Sequence, residues 1–135
     1  MKPLEILIKE EPIPKGRPRT SWKNGKVHTY NPDRTTFAQE RITACLQQYK
    51  DKAFPPHVAI KLTCTFYRTK SKWLPKYERM PYRKPDLTNF AKLLEDSIIG
   101  VLLPDDAQLT TLALAKRWTD KEYGYIIMKL EEDLG

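Results

Sequence analysis

Cysteine, histidine and long apolar runs are all scarce in this chain, and each shortage removes a class of function. Only two cysteines occur in 135 residues, Cys45 and Cys64, each inside an apolar-periodic segment. Metal sites built on sulfur need more ligands at closer spacing, so the pair reads as reduced core thiols of a cytoplasmic protein. The two histidines, His28 and His57, have no partner at ligand spacing and read as structural or surface groups. The opening stretch, MKPLEILIKEEPIPKGRPR, carries charge throughout and contains no long apolar run. Neither a signal peptide nor a membrane span is expected. Repeats and low-complexity tracts are missing too. With 40% hydrophobic and 30% charged residues, the chain should form one globular domain over residues 1–135.

Positive charge is what the sequence has in excess, and it is concentrated. The net charge is +7. Between Lys15 and Lys26 lie five basic residues (Lys15, Arg17, Arg19, Lys23, Lys26) and no acid. Between Arg68 and Lys84 lie seven (Arg68, Lys70, Lys72, Lys76, Arg79, Arg83, Lys84) against the single acid Glu78. Outside these segments the chain is net negative. Clustered cations of this kind form a phosphate-binding footprint, and neither segment has the helical apolar stripe of a membrane-surface helix. Candidate DNA-binding residues are Lys15, Arg17, Arg19, Arg68, Lys70, Lys72, Lys76, Arg83 and Lys84.

Periodicity supplies the framework. Leu4, Ile6 and Ile8 alternate as a first strand, and Asn24-Gly25 flanked by Trp22 and Val27 marks a hairpin within Ser21–Tyr30. Asn31-Pro32 is a helix start, after which Phe37, Ala38, Ile42, Cys45, Leu46 and Tyr49 share one face. Val58, Ile60, Leu62, Cys64 and Phe66 alternate in the clearest strand. Residues 69–84 show no period, which predicts a functional or mobile basic loop. Its Trp73, Tyr77 and Tyr82 either stack on unpaired bases or anchor the loop to the core. A second helix, about 87–99, buries Phe90, Leu93, Leu94, Ser97 and Ile98 and turns Thr88, Lys92 and Asp96 outward. Two closing strands, 109–118 and 123–130, follow. The expected fold is α+β, two helices packed on one mixed, largely antiparallel sheet.

The segment RKPDLTNFAKLLEDSIIGVLLPDDAQ, residues 83–108, carries the chemistry. It sets Asp86 before the second helix, Lys92 on it, and Asp105-Asp106 beyond its far end. Acids beside a strongly basic surface make electrostatic sense when a cation sits between them and a polyanion. Mg²⁺ takes one or two carboxylates and completes its shell with water and phosphate. Asp86, Asp105 and Asp106 are therefore the candidate metal ligands, and Lys92 the group that stabilises charge on a phosphate or departing oxygen. The acids meet only if the chain folds back along the helix or a neighbouring subunit supplies the second half. Taken by itself, Leu-Pro-Asp-Asp-Ala also reads as a tight turn, and Lys92 as the i,i+4 partner of Asp96.

The run KPDLTNFAK, then LEDSIIG, then PDDAQ resembles the RusA family of Holliday-junction resolvases of bacteria and their phages, and the opening PIPKGRPR is similar to the family's N-terminal segment. The likeness spans about residues 5–131. It implies a RusA-like fold and a homodimeric, Mg²⁺-dependent endonuclease, with Mn²⁺ able to substitute, that cuts opposed strands of a branched, four-way DNA junction in the cytoplasm. By this resemblance Asp86, Lys92 and Asp106 are the catalytic residues, with Asp105 beside them and Asn89 and Asp96 at recurrent positions. One departure stands out. Thr88 occupies the place of a second carboxylate, where it can hold a water or ligate but brings no charge. Three functions compete: a junction endonuclease, a catalytically weakened or inactive junction-binding dimer, and a general nuclease or RNA-binding protein.

Overall fold

The computed structural model describes residues 1–16, 19–30 and 33–135, without the side chains of residues 19, 21, 23 and 28–30. Strand β1 (Leu4–Ile8) is followed by a hairpin, β2 (Arg19–Lys23) and β3 (Lys26–Tyr30). Asn24 and Gly25 take φ of 54° and 72°, as a two-residue turn requires when it follows the twist of its strands. The next elements are α1 (Asp33–Gln47), β4 (Ile60–Arg68), α2 (Leu87–Ile98), β5 (Leu109–Trp118) and β6 (Tyr125–Glu132). The expected helix start at Asn31-Pro32 lies outside the described residues, as does Arg17.

The four longer-range strands form one mixed sheet in the order β1-β6-β4-β5, and the hairpin forms a separate two-stranded sheet. β6 runs antiparallel to both β1 and β4, and β5 runs parallel to β4. The architecture is α+β, as the periodicities predict. One face of the sheet presents Ile6, Ile8, Ile60, Leu62, Cys64, Phe66, Ile126, Met128 and Leu130 to the helices, all buried. The helices answer with Ala38, Ile42 and Leu46 from α1 and Phe90, Leu93, Leu94 and Ile98 from α2. Each of the Ile, Leu, Met and Phe side chains among them contributes about 1.5–3 kcal/mol through removal from water. Burial pushes the Cys64 thiol well above its ordinary pKa, so it stays a neutral core group.

Phe37 corrects the expected face of α1. It is 55% exposed, and Thr35 is buried in the inward row instead. At about 100° per residue, Phe37 lies about 140° from the centre of the Ala38–Ile42–Leu46 stripe, on the outward side of the helix. Thr35 satisfies its burial by accepting the Gly16 N–H at 2.9 Å.

Because β4 and β5 are parallel, the chain between them must cross over, and α2 makes the return. The helix therefore begins at the carboxyl ends of both strands and finishes at their amino ends.

Candidate nucleic-acid and metal site

Asp86 stands at the carboxyl-end rim of the parallel pair, the edge at which open α/β sheets present ligand sites. It is exposed and is the N-cap residue of α2, yet its side chain makes no capping bond. Its carboxylate oxygens are thus left for another partner while the positive end of the helix dipole keeps negative charge favourable there. Lys116 on β5 ties the approach to this residue, donating from Nζ to the carbonyls of Arg83 and Pro85, both at 2.9 Å. Sequence periodicity marks Lys116 only as a strand residue. Its role depends on a contact 31 positions away.

The basic loop is organised around Glu78, which is buried although charged. Its carboxylate receives the Arg83 guanidinium, with Nη2 at 2.5 Å and Nε at 3.2 Å from Oε1, and the Tyr82 hydroxyl at 3.3 Å. Lys70 Nζ donates to the Glu78 carbonyl at 2.8 Å. The Arg83 hydrogen bond is the main reason that the Glu78 carboxyl sits below its ordinary range. Arg68 packs its guanidinium 5.5 Å from the ring centroids of both Phe90 and Trp118, and partial burial lowers its pKa. The indole N–H of Trp118 is buried beside it with no acceptor among the described residues.

The candidate DNA-binding residues accordingly divide. Arg68, Lys70 and Arg83 are engaged in holding the loop, whereas Lys72, Lys76 and Lys84 are exposed and form no ion pair among the described residues. Trp73, Tyr77 and Tyr82 are 84%, 81% and 70% exposed. That exposure removes the core-anchor alternative for Trp73 and Tyr77, and Tyr82 meets the loop through its hydroxyl on Glu78 and through its ring, whose centroid is 5.5 Å from the Arg83 guanidinium. Lys72 Nζ lies 5.2 Å from the Trp73 ring centroid, so cation and ring form one surface.

Lys92 lies one helical turn and a half beyond Asp86 and is exposed. Its Nζ is 3.6 Å from Asp96 Oδ1, the pairing anticipated on helical spacing. Asp96 has a closer cation, however: Lys15 Nζ at 2.9 Å from Oδ2. The backbone N–H of Lys15 also donates to the Asn89 carbonyl at 3.0 Å, so Lys15 clamps the N-terminal segment to α2. With Asp96 already neutralised, the Lys92 ammonium keeps most of its charge for other anions.

Asp105 and Asp106 are exposed at the opposite end of α2. Asp105 caps the short 3₁₀ turn Asp106–Gln108 by accepting the Ala107 N–H at 3.1 Å, and Gln108 Oε1 accepts the Asp105 N–H at 3.2 Å. The Ala107 N–H lowers the Asp105 pKa, with a side-chain bond from Asp106 next in size. Gln108 Nε2 reaches the carbonyls of Pro55 and Val58 at 2.8 and 3.1 Å. The Asp-x-x-Gln spacing of this reciprocal cap was present in the sequence. Desolvation raises the Glu95 carboxyl, and Asp96 and Asp106 add to the rise, which places Asp106 near the carboxyl-terminal turn of α2.

The fold-back route to a joined site therefore does not operate within one chain. Strand β5 does run back along the helix, but it leaves the acidic turn behind at its amino end. Twelve helical residues separate Asp86 from that turn, about 18 Å at 1.5 Å per residue. No group of three or more metal-ligating His, Cys, Asp or Glu side chains is assembled among the described residues. Exposed carboxylates stand at both ends of α2, Asp86 at one and Asp105 and Asp106 at the other.

Residues 10–129 match the model of the endodeoxyribonuclease RusA family, and the chain belongs to that family. It is also similar to the uncharacterized protein YqaN of Bacillus subtilis (strain 168), at 25% identity over 127 residues, covering 87% of this chain and 89% of the relative.

Proposed function

We propose that this chain is a divalent-metal-dependent endodeoxyribonuclease that works as a homodimer, resolving four-way DNA junctions by paired phosphodiester hydrolysis in the bacterial cytoplasm. The observation that carries this reading is Asp86: an exposed carboxylate left uncapped at a helix N-terminus, beside the most basic segment of a RusA-family chain. Carboxylate oxygens, a Thr88 hydroxyl and open access to water suit Mg²⁺ or Mn²⁺, which favour hard oxygen donors and retain several waters. Asp86 would hold the ion with Thr88 beside it, and Asp106 would complete the set. Because about 18 Å of helix lies between them, that Asp106 comes from the partner subunit. The cation, when bound, supplies an activated water and offsets charge on the scissile phosphate.

The remaining work falls to the chain's own groups. Lys92 directs its ammonium at the phosphate or the departing oxygen, stabilising charge that develops in the transition state. Lys72, Lys76 and Lys84 hold flanking phosphates without reading sequence. Arg68, Lys70, Arg83 and Lys15 position those contacts, and Arg17 and Arg19 extend the footprint along the N-terminal segment. Trp73 and Tyr77 offer unpaired bases a stacking surface. A two-fold junction is matched by a two-fold protein with two equivalent sites.

Thr88 favours a second reading, a junction-binding dimer without catalysis, because its exposed hydroxyl supplies no charge where the family pattern expects a carboxylate. One assay separates the two. A labelled four-way junction is incubated with Mg²⁺ or Mn²⁺ and either the natural chain or Thr88→Asp. Paired nicks bearing 5′-phosphates from the natural chain support the endonuclease. Cutting by Thr88→Asp alone supports the binding dimer, and inactivity of both refutes the endonuclease reading.

A further inference from the structure

Close to Asp86 lies an apolar pocket that the phosphate contacts leave unused. It has a volume of about 300 Å³ and opens between the end of the basic loop, the start of α2 and the last residues of β5. That volume stands at the lower limit of ligand pockets, which suits a single planar ring system rather than a larger ligand. Pro81 is buried in its lining, Leu87 and Leu114 are half-buried, and Met80 and Tyr82 are 47% and 70% exposed. Apolar surface left bare in this way gains free energy on being covered. The Tyr82 wall is set in advance. Its N–H donates to the Met80 carbonyl at 2.9 Å, closing a three-residue turn, and its hydroxyl donates to Glu78 Oε1 at 3.3 Å.

Charge decides what covers the pocket. Lys116 and Arg117 contribute to its lining, Arg83 lies 5.5 Å from the Tyr82 ring centroid, and Lys84 beyond it is exposed. Among the described residues no carboxylate lines it. An apolar peptide gains nothing from that ring of cations. A nucleotide matches both halves, with base faces for the apolar lining and a phosphate for the basic rim. Its placement fits as well. Leu87 follows Asp86 in the chain, and Lys116 Nζ, 2.9 Å from the Pro85 carbonyl, joins the rim to the residue before Asp86. A phosphate brought to Asp86 therefore has an adjoining base, one sugar away, within reach of the pocket.

We propose that this pocket receives a DNA base that has left the helical stack, the one adjoining the scissile phosphate, and lays it against Tyr82. The inference rests on the endonuclease reading and adds the means by which a branch is told from linear duplex. Extrusion costs least where pairing or stacking is already broken, as at the centre of a four-way junction. A base at the branch enters, and a base inside an arm stays paired. Stacking accepts every base, and the flexible Met80 side chain adapts to purine or pyrimidine, so the pocket selects structure rather than sequence.

The experiment reads the base, separately from the cut. Iododeoxyuridine, which joins on irradiation to an aromatic ring stacked on it, is placed beside the branch of one junction and deep within an arm of another. Each is irradiated with the natural chain in Ca²⁺, a hard cation that carboxylate oxygens also hold, and the adduct is mapped by mass spectrometry. An adduct on Tyr82 from the branch position, with none from the arm, is the expected result. Adducts on Trp73 or Tyr77 alone, or equal adducts from both positions, overturn the proposal. So does the absence of any adduct, whether because a second copy of the chain covers the pocket or because the base stays stacked. Tyr82→Ala should weaken junction binding about tenfold, the worth of one base–ring stack. Tyr82→Phe, which keeps the ring and loses only the bond to Glu78, should bind as the natural chain does. Equal weakening by both variants would assign Tyr82 to loop anchoring and overturn the pocket. Cutting in Mg²⁺ with no Tyr82 adduct removes the pocket and leaves the endonuclease. A Tyr82 adduct without cutting does the reverse.

Discussion

The two ends of α2 carry the same functional group in opposite settings. At the amino end, Asp86 is a lone exposed carboxylate among Arg83, Lys84 and Lys116, with the helix dipole in its favour. At the carboxyl end, Asp105 is already committed to a cap, and Asp106 adds to the desolvation that raises the Glu95 carboxyl above its ordinary pKa. Positive charge is oversupplied at one end and negative charge at the other. A cation, or the basic end of a second copy, relieves the acidic end, and a polyanion relieves the basic one. The contrast teaches that charge counts alone do not locate a site. What matters is which charges the fold has already consumed.

The largest expected effect comes from erasing the contrast at its source. Asp86→Asn or Asp106→Asn should reduce junction cleavage by about 10³-fold, comparable with losing a principal electrostatic contact at a reacting centre, while junction affinity in a gel-shift titration stays unchanged. Mixing the two inactive variants should restore cutting, because half of the sites in a mixed dimer then combine an intact Asp86 with an intact Asp106. Persistent inactivity of the mixture would mean that the two acids do not act across subunits.

Next in size is the support beneath the basic end. Phe90 is buried, stacks on Phe66 with centroids 5.5 Å apart, and lies under Arg68. Phe90→Ala should cost about 3–5 kcal/mol of stability in urea unfolding. A loss below 1 kcal/mol would show that the site end tolerates collapse. Lys92→Ala should lower turnover by about 10²-fold with little change in affinity; the opposite split would move Lys92 from chemistry to binding.

Smaller effects concern the loop. The Glu78 carboxyl titrates below its ordinary value because Arg83 and Tyr82 bind its charged form. Its contribution to loop order is therefore present above the unfolded value, about pH 4.3, and is lost as pH falls through the depressed folded value. Trp73 fluorescence anisotropy should drop on acidification in the natural chain, and Glu78→Gln should show the lowered anisotropy already at neutral pH. Smallest of all, Asp106→Asn should lower the Glu95 pKa in an NMR titration, since one repelling charge is removed. An unchanged Glu95 would place Asp106 farther from α2.

Most of the elements were legible because their periods are unambiguous. The alternation in β1 and β4 and the 3.6-residue face of α2 each point to one buried side, and the structure buries that side. Leu112 is different: its alternation with Leu114 marks it as inward, but at a sheet edge the inward face is only half covered. Strand order was not legible, and with it went the position of the acidic turn. Nothing within residues 103–118 states that β5 lies parallel to β4 rather than beside β1, yet that choice fixes which end of α2 the acids occupy. The fate of Arg68, Lys70 and Arg83 was hidden for the same reason. Their partners Phe90, Trp118 and Glu78 are set by tertiary contacts that a charge count does not see.

The amide of Gln108 has a last implication. By gripping the carbonyls of Pro55 and Val58 while receiving the Asp105 N–H, it welds the acidic turn to the connection that leads from α1 into β4. Asp106 then travels only with the whole body of its subunit. In the proposed dimer the interval between the two sites would be fixed like the jaws of a calliper, and the DNA would be the component that bends to fit.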